Sequence, residues 1–373
     1  MTIRTDAEAP ATAAPQQAPA CWLSIVIPTH NRRELVLRAV DSVLDQDREQ
    51  ARRIEIIIVD DGSTDGTAAA LHACHAGDPR VSVIRTMNLH ASAARNTGFR
   101  ASRGELVCFL DSDDFWNGRV LAVVGQVFAL HPELAYLSLE GSTLPSARLP
   151  KLARIVAGDC PGWSHAAFHQ APLATEPLRL DDTGEAASLL LGDYFPAIVN
   201  ADLFYLSGLI IRREAIMRAG PFTERFRYYN DWEFFARLCL QGPGAYLDVE
   251  GFRRDTGRED QISRGHPGTA MPRRHLYILR SLRRRFPADT SAYAAHLHDR
   301  LTDAQYWMGR CLLQAGRPRP ARRYLRRCMG QRYKTGRSLI LFAATFLPRF
   351  LAPIRAPAFS RTRGVNCASA STP

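Results

Sequence analysis

Several common signatures are missing from this chain of 373 residues. Its eight cysteines are scattered and form no C-x-x-C pair, which argues against a zinc site and a disulfide framework and favours reduced thiols in a cytoplasmic protein. The longest mainly apolar run, at 339–347, is shorter than the roughly 20 residues that span a bilayer. Residues 1–20 contain no apolar core, so we expect a disordered leader and not a signal peptide.

Glycine-rich phosphate loops are missing as well. The chain contains no G-x-G-x-x-G and no G-x-x-x-x-G-K-[ST], which excludes the Rossmann dinucleotide fingerprint and the P-loop. A phosphorylated ligand would therefore need a metal ion and side chains to neutralise it, because no glycine cradle is present.

Lysine is almost absent, since only Lys151 and Lys334 occur, and arginine carries nearly all the positive charge. The charge is also distributed unevenly along the chain. Residues 1–269 contain 27 basic and 34 acidic residues, a balance of −7, whereas residues 270–373 contain 21 and 3, a balance of +18. This asymmetry indicates an anionic surface partner for the C-terminal part.

Strand-like and helix-like segments alternate in the first third of the chain. The strand-like runs lie at 22–28, 54–59, 81–85 and 106–110, and the helix-like runs between them at 33–46, 67–75 and 92–101. Apolar runs of this length, separated by amphipathic segments, are typical of βαβ units. We therefore predict an α/β fold with a mostly parallel, twisted sheet flanked by helices.

Two acidic clusters follow predicted strands, Asp60 with Asp61 and then Asp111, Asp113 and Asp114. Carboxylates this close repel one another, and a divalent cation such as Mg²⁺ or Mn²⁺ relieves that repulsion. Taken alone, the second cluster also fits a solvated turn, and the first fits an ordinary turn before a helix. Because ligands of parallel sheets bind beyond the carboxyl ends of the strands, the shared position of the two clusters favours one common site.

Four motifs, in this order along the chain, resemble those of family-2 glycosyltransferases with the GT-A fold. They read SIVIPTHN from Ser24, IVDDGSTDG from Ile58, AARNTG from Ala93 and FLDSDD from Phe109. The resemblance extends over residues 22–264 and is specific for the family but not for a substrate. It implies a nucleoside diphosphate sugar as donor, with UDP-sugars favoured, and a divalent metal ion as cofactor.

The resemblance also implies roles for individual residues. The residues implied to border the nucleobase and ribose are Pro28, Thr29, His30 and Asp60. Arg95 and Asp111 are implied to complete the donor-nucleotide site. Asp113 and Asp114 are implied to hold the metal ion.

A carboxylate at the start of a predicted helix is the candidate catalytic base. Asp231 precedes the apolar stripe of Phe234 and Leu238, where the helix dipole would also favour a plain N-terminal charge. The family usually has Glu-Asp at this point, and its Asp acts as the base. Asp231 matches that Asp, whereas Asn230 replaces the Glu.

Residues 252–263 resemble the family's closing element, a basic or histidine-containing loop that meets the diphosphate. Arg253 and Arg254 are therefore possible diphosphate contacts, and Asp255 stands where a histidine is common. Between the motifs, the irregular span 141–182 contains Trp163, His165 and His169, which fit a solvated loop better than a metal site.

From residue 272 onward the pattern becomes helical and rich in arginine, and an apolar segment at 338–351 lies between arginines. This region is either a helical appendage with a solvated basic face or a segment that docks on anionic lipid. We expect four regions: a disordered leader 1–20, a GT-A catalytic domain 21–268, a basic helical region 269–359 and a disordered tail 360–373.

The pattern and the resemblance together predict an inverting glycosyltransferase that moves a hexose or N-acetylhexosamine to a hydroxyl of a glycan or lipid-linked acceptor. A metal-assisted single displacement of this kind needs one positioned base. We expect it to act in cell-surface glycan or glycolipid synthesis, in the cytoplasm or at the inner face of the plasma membrane. The rival is a catalytically silent nucleotide-sugar-binding or scaffold protein. A nucleic-acid-binding protein ranks last because the basic region lacks interleaved aromatic residues.

Overall fold

The structure of the protein, a computed structural model, describes most of residues 22–346. The described ranges are 22–46, 53–144, 153–154, 173–181, 183–200, 203–226, 229–255, 269–285, 293–331 and 335–346. The expected leader 1–20, the expected tail 360–373 and the loop with Trp163, His165 and His169 lie outside these ranges.

Three strand–helix units and a fourth strand begin the fold, as the alternating pattern predicted. β-Branched residues fill the first two strands, and every residue in both strands is buried. The elements are β1 Leu23–Thr29, α1 Arg33–Leu44, β2 Ile54–Asp60, α2 Thr67–His75, β3 Val81–Arg85, α3 His90–Ala101 and β4 Leu106–Phe109.

The next part of the chain contributes seven more strands and four helices to the described structure. They are β5 Asp114–Trp116, α4 Val120–Leu130, β6 Tyr136–Thr143, β7 Ala153–Arg154, β8 Leu173–Arg179, β9 Ala186–Gly192, α5 Phe195–Asn200, β10 Leu209–Arg212, α6 Arg213–Ala219, α7 Asn230–Leu238 and β11 Gly244–Arg254, with a 3₁₀ turn at Leu206–Gly208 before β10.

The described strands form one mixed sheet. Nine of them follow the order β3-β2-β1-β4-β10-β6-β11-β9-β8, while β5 pairs with β11 and β7 pairs with β6. Strands β1 to β4 are parallel to their neighbours within this group, and β10 runs antiparallel between β4 and β6. The predicted α/β class with a helix-flanked sheet is confirmed.

Side chains of β1 alternate between the two faces of the sheet, as the pleat requires. Ile25 and Ile27 pack with Val36 of α1 on one face. Val26 packs on the other face, in a cluster that includes Phe234 of α7. Because helices cover both faces, the carboxyl ends of the strands are the edge at which polar side chains can meet a ligand.

The C-terminal region folds into four described helices that pack on the sheet domain. They are α8 Ala270–Arg285, α9 Ala294–Gln314, α10 Pro318–Gly330 and α11 Thr335–Ala344. The imidazole of His275 stacks on the Trp232 indole at 4.6 Å between ring centroids, and Arg300 Nε donates to the Val199 carbonyl at 3.0 Å. The expected boundary near residue 268 falls outside the described ranges and stays a prediction. No helix among the described residues combines the length and apolar character needed to cross a membrane.

Two details of the first half differ from the predicted pattern. The sequence pattern indicated no strand at the end of the acidic cluster, but Asp114–Trp116 forms β5 because it pairs with the distant end of β11. The helix expected at 92 begins at His90, because the Asp61 carboxylate accepts the backbone N–H groups of residues 89 and 90. Both differences depend on contacts between distant parts of the chain.

Phe252 determines how closely β11 approaches its neighbours. A Cβ atom added at Gly141 of β6 would lie 2.2 Å from the Phe252 ring, and one added at Gly208 would lie 2.4 Å from it. The ring therefore fills the space that two missing side chains leave open. This packing brings the end of β11, with Arg254, against β5.

His275 is expected to make the fold sensitive to acid. Burial, with a smaller contribution from Arg300, lowers the pKa of its imidazole to about 3, while Asp303 opposes the shift. In the unfolded chain the imidazole binds a proton near pH 6.5. Below that pH the unfolded state binds more protons than the folded state, so stability falls as the pH falls from 6.5 toward 3.

Replacing His275→Phe should flatten this loss, which is on the order of a few kcal/mol. Denaturant unfolding at pH 7 and pH 4.5 would measure it, with His72→Phe at an exposed position as the matched control. Equal pH dependence of the wild-type protein and His275→Phe would contradict this account.

Candidate active site

The candidate site lies at the carboxyl ends of the parallel strands. Thr29 ends β1 and pairs in register with Asp60, which ends β2, and Asp111 follows β4. Pro28 is buried in β1 opposite Val59. The structure thus brings the predicted nucleotide-site residues of three strands to one edge of the sheet.

Hydrogen bonds join the loop after β1 to the loop after β2. His30 Nδ1 donates to the Asp61 carbonyl at 2.8 Å, which leaves the exposed His30 ring at the mouth of the edge. Asn31 N donates to Ser63 Oγ at 2.9 Å, and Asn31 Oδ1 accepts from Thr64 N at 2.8 Å. The two loops are therefore held as one rigid unit.

The adjacent aspartates Asp60 and Asp61 have different surroundings. Asp61 is saturated, since it accepts bonds of 2.7 Å from Thr86 Oγ1 and from the backbone N–H groups of residues 89 and 90. Asp60 Oδ1 accepts from Ser63 N at 2.9 Å, whereas its buried Oδ2 has no partner among the described residues. Asp61 therefore organises the start of α3, and Asp60 keeps an oxygen available for a ligand.

Two further buried polar atoms at this edge are unpartnered within the described structure, Thr29 Oγ1 and Arg95 Nε. Buried polar atoms in native proteins are almost always hydrogen-bonded, so each exception needs an explanation. With Asp60 Oδ2, they place two oxygens and one N–H at the ends of β1 and β2 and on α3. A polar ligand that both donates and accepts would satisfy all three.

Left-handed backbone also concentrates around the site. The described non-glycine residues with positive φ are Asn31, Asn88, His90 and Tyr229. Asn31 follows β1, Asn88 precedes α3 and His90 is the first residue of α3, while Tyr229 lies two residues before the predicted base Asp231. Such conformations are unfavourable and persist where the surrounding structure imposes them, which is common at functional sites.

Two of the predicted acidic ligands are paired with arginine. Arg95 Nη2 lies 2.6 Å from Asp111 Oδ1, and Arg32 Nη1 lies 3.0 Å from Asp113 Oδ1. The Asp111 and Asp113 side chains are 33% and 18% exposed, so both still reach solvent. Each carboxylate thus has a positive neighbour and an accessible side.

Asp114 is buried and turned toward the protein. Its Oδ2 accepts from Ser207 Oγ at 2.5 Å, and its Oδ1 lies 3.7 Å from Arg254 Nε. Burial raises the pKa of the Asp114 carboxyl to about 7; Arg254 opposes the shift, and Asp111 and Asp113 add to it. These contacts tie Asp114 to β11 and the 3₁₀ turn, so its predicted role as a metal ligand has weaker geometric support than that of Asp113.

The two candidate diphosphate arginines also separate. Arg253 Nε is bound to Glu250 Oε1 at 2.6 Å, whereas Arg254 pairs with the acidic cluster. The next residue, Asp255, lies 3.4 Å from Arg38 Nη2. Of the two arginines, Arg254 is therefore the one that the fold places at the edge.

The predicted base Asp231 is the second residue of α7 and is partly exposed. Its Oδ1 accepts the backbone N–H of Trp232 at 2.8 Å. Asn230 Nδ2 donates to Ser92 Oγ of α3 at 2.7 Å. Because Ser92 and Arg95 lie three residues apart on one face of α3, that helix connects the Asp231 region with the acidic cluster.

Glu233, the other carboxylate of this helix turn, is fully engaged. It accepts from Arg237 Nε at 2.8 Å, from Arg237 Nη2 at 2.9 Å and from Thr223 Oγ1 at 3.1 Å. These bonds occupy both oxygens of the Glu233 carboxylate. Asp231 is thus the better placed base of the two.

The donor set at the edge fits a hard divalent cation. Among the described residues no group of three or more His, Cys, Asp or Glu side chains forms a closed metal cage. Asp111 and Asp113 nevertheless offer carboxylate oxygens that reach solvent, and Mg²⁺ or Mn²⁺ is commonly held by one or two carboxylates plus phosphate and water. Asp111 and Asp113 therefore suit an open metal site, whose remaining positions a phosphorylated ligand and water would fill.

Sequence reasoning missed Arg32 and Ser207. Arg32 follows the loop after β1, at the same edge as the acidic cluster, and this position could have indicated it as a counter-charge for Asp113. Ser207 lies in a segment we recognised only as a family motif, and no local pattern shows that its hydroxyl meets Asp114.

Asp61→Asn and Asp60→Asn form a matched pair of substitutions with opposite expected outcomes. Asn at 61 would place an amide N–H₂ against an N–H donor of the α3 start, so we expect a loss of about 1–3 kcal/mol in the free energy of unfolding. Asn at 60 can keep the Ser63 bond and removes a buried charge, so stability should be unchanged or higher. Denaturant titration measures both; equal destabilisation by the two variants would contradict the different roles.

The chain is similar in sequence and in fold to several known proteins. Residues 24–139 match the family model "Glycosyl transferase family 2". The chain is 25% identical over 252 residues to the minor teichoic acid biosynthesis protein GgaA of Bacillus subtilis, covering 64% of this chain and 48% of GgaA. It is 41% identical over 96 residues to the putative teichuronic acid biosynthesis glycosyltransferase TuaG of the same organism, covering 26% and 37% of the two chains.

The match to these curated relatives spans less than half of the length of each. Among solved structures, S. aureus TarS 1–349 in complex with UDP-GlcNAc superposes with a TM-score of 0.55 at 16% identity, over 77% of this chain and 72% of that one. At this identity the likeness concerns the fold alone. Residues 24–139 therefore match glycosyl transferase family 2, and the chain has the GT-A fold.

Proposed function

We propose that the protein is an inverting glycosyltransferase that moves a sugar from a nucleoside diphosphate donor to an acceptor hydroxyl. One observation carries the proposal. The unpartnered Thr29 Oγ1, Asp60 Oδ2 and Arg95 Nε lie at the sheet edge where Asp111 and Asp113 are paired with arginines. An edge with these groups suits a ligand that has hydrogen-bonding rings at one end and a metal-bound diphosphate at the other.

The nucleoside part of the donor would lie against β1 and β2. Asp60 Oδ2 accepts a base N–H or a ribose hydroxyl, and Thr29 Oγ1 lies beside it at the end of the paired strand. His30 and Pro28 border this space, His30 from the hydrogen-bonded loop and Pro28 from within β1. Because the loops after β1 and β2 are already held together, less conformational entropy is lost when the donor binds.

The diphosphate would lie over the acidic cluster. Asp111 and Asp113 would hold a divalent cation, which when bound supplies positive charge to the phosphate oxygens. Arg95 and Arg254 add fixed positive charge at the same edge. For Asp114 we propose a positioning role, because its oxygens are occupied by Ser207 and Arg254 in the described structure.

Asp231 would act as the general base. Its carboxylate takes the proton of the acceptor hydroxyl while that oxygen attacks the anomeric carbon. The bond from the anomeric carbon to the diphosphate oxygen breaks on the opposite face, so the configuration inverts and the electron pair stays on the diphosphate. Asn230 carries no charge, and it anchors the helix start to Ser92, which fixes the backbone beside Asp231.

The names of the similar proteins support a class of substrate. GgaA and TuaG are named for teichoic and teichuronic acid biosynthesis, and TarS was solved with UDP-GlcNAc. We therefore propose a UDP-sugar of the hexose or N-acetylhexosamine type as donor and a cell-surface glycan or its lipid-linked precursor as acceptor.

The predicted location, in the cytoplasm and at the inner face of the plasma membrane, also remains a proposal. Leu339, Ile340 and Phe346, in α11 and just after it, are 56%, 69% and 59% exposed, and Arg322 lies over the Phe346 ring at 3.9 Å. An exposed apolar strip beside arginine suits the boundary of an anionic bilayer. Sedimentation with anionic vesicles tests this location.

Removing the charge of Asp113 should abolish the metal-dependent part of donor binding. Calorimetry of a panel of nucleotide sugars, with and without Mg²⁺ or Mn²⁺, would compare wild-type protein with Asp113→Asn and with Asp299→Asn, an exposed control far along the chain. We expect metal-stimulated affinity in the wild type and the control only. Equal affinity with and without metal in all three proteins would overturn the metal assignment.

Asp231→Asn should reduce turnover by about 10²- to 10⁴-fold with little change in donor affinity. Glu233→Gln is the matched variant, because it removes a carboxylate from the same helix turn. It should retain turnover per folded molecule but lower stability, because it weakens the contact with Arg237. Transfer assays and donor titration measure the two effects. Retained turnover in Asp231→Asn would remove it as the base, and donor binding without any transfer in the wild type would favour a silent scaffold.

A further inference from the structure

A second polar cleft lies between helices α8, α9 and α10, and none of its lining residues belongs to the strand-edge site. Its volume is about 740 Å³. The polar side chains that line it include Arg280, Arg283, Arg284, Gln305, Arg327 and Gln331. We call this space the arginine cleft.

The four arginines are uncompensated within the described structure. No carboxylate there forms an ion pair with Arg280, Arg283, Arg284 or Arg327, whereas the nearby Asp303 is paired with Arg300 at 3.0 Å. Four like charges around one cleft repel one another, and a bound anion relieves that repulsion. The strand-edge site is different, because its arginines already face carboxylates.

Helix geometry explains why the charges converge. Arg280, Arg283 and Arg284 are spaced i, i+3 and i+4 on α8, so they share one face of that helix. Arg327 faces them from α10. Guanidinium groups donate several N–H bonds in a planar fork, which suits phosphate oxygens better than a single point charge does.

Gln305 adds an independent signal at the cleft. Its side chain is 6% exposed, and its Oε1 has no hydrogen-bond partner among the described residues. On the other side of the cleft, Gln331 Oε1 already accepts from Thr302 Oγ1 at 2.5 Å. A carbonyl oxygen only accepts, so the group that satisfies Gln305 must be a donor such as a hydroxyl.

We propose that the arginine cleft binds the phosphate group of a hydroxyl-bearing ligand, of the polyol phosphate class. The arginines bind the phosphate oxygens, and Gln305 accepts a hydroxyl of the attached polyol. No aromatic side chain lines the described cleft on which a nucleobase would stack, which disfavours a nucleic acid. The phosphate binding stands by itself; its use as a contact to the acceptor rests on the proposed glycosyl transfer.

Calorimetry with sn-glycerol 3-phosphate and with inorganic phosphate, at constant ionic strength, tests the binding. The test protein is the Arg284→Gln, Arg327→Gln double variant, whose two positions are exposed. The matched control is Arg319→Gln, Arg323→Gln, which removes the same charge from exposed positions of α10 outside the cleft. We expect the affinity of the cleft variant for glycerol phosphate to fall by a factor of about ten or more. The control should bind as the wild type does.

Equal binding by the cleft variant and the control, or no binding by the wild type, would overturn the proposal. Gln305→Leu should keep the affinity for inorganic phosphate and lose the preference for glycerol phosphate. An unchanged preference would overturn the polyol part. Asp113→Asn should leave glycerol phosphate binding intact, so failure of the donor site and failure of the cleft are distinguishable.

The phosphate can come from a soluble polymer or from a lipid headgroup, and vesicles distinguish the two sources. Sedimentation with phosphatidylglycerol vesicles, against phosphatidylcholine vesicles, should depend on Arg284 and Arg327 if the headgroup occupies the cleft. If vesicle binding depends instead on Leu339 and Ile340 and survives in the cleft variant, the soluble source holds. If the cleft variant still binds both the vesicles and glycerol phosphate as the wild type does, the proposed site is wrong for both sources.

Discussion

The compensation of clustered carboxylates is the constraint on which the site depends. Three aspartates within four positions of one turn would repel one another strongly if each faced only its neighbours. The structure gives each of them a guanidinium from a different element. The pairs are Asp111 with Arg95 of α3, Asp113 with Arg32 before α1, and Asp114 with Arg254 of β11.

Because the counter-charges come from separate elements, the acidic turn takes its working form only when the whole sheet domain is assembled. The close packing of Phe252 against Gly141 and Gly208 brings β11 to β5, and so positions Arg254. Helix α3 has a comparable task, since Ser92 contacts the region of the proposed base and Arg95 contacts the acidic turn. The site is therefore a product of tertiary packing as much as of its motifs.

Sequence patterns predicted the parts of the fold that are encoded locally. Apolar runs indicated β1, β2 and β4, and their ends indicated the edge where Asp60 and Asp111 lie. The resemblance named Asp60 and not Asp61 as a site residue, but no pattern showed that Asp61 binds the distant start of α3. Nor did any pattern reveal the β5 pairing, because a three-residue strand has no period of its own and exists through β11. The site roles themselves stay predictions until variants are measured.

The two arginine-rich parts of the described molecule differ in whether their charge is already balanced. At the strand edge, arginines and aspartates neutralise one another, so a bound diphosphate would need further positive charge, which is the electrostatic argument for the proposed divalent cation. In the cleft between α8 and α10, guanidinium groups without described carboxylate partners can receive an anion directly. The balance of −7 before residue 270 and +18 after it reflects this division. Under the two proposals, the acidic body would bind its anionic donor together with a metal ion, and the basic region would bind a second anion without one.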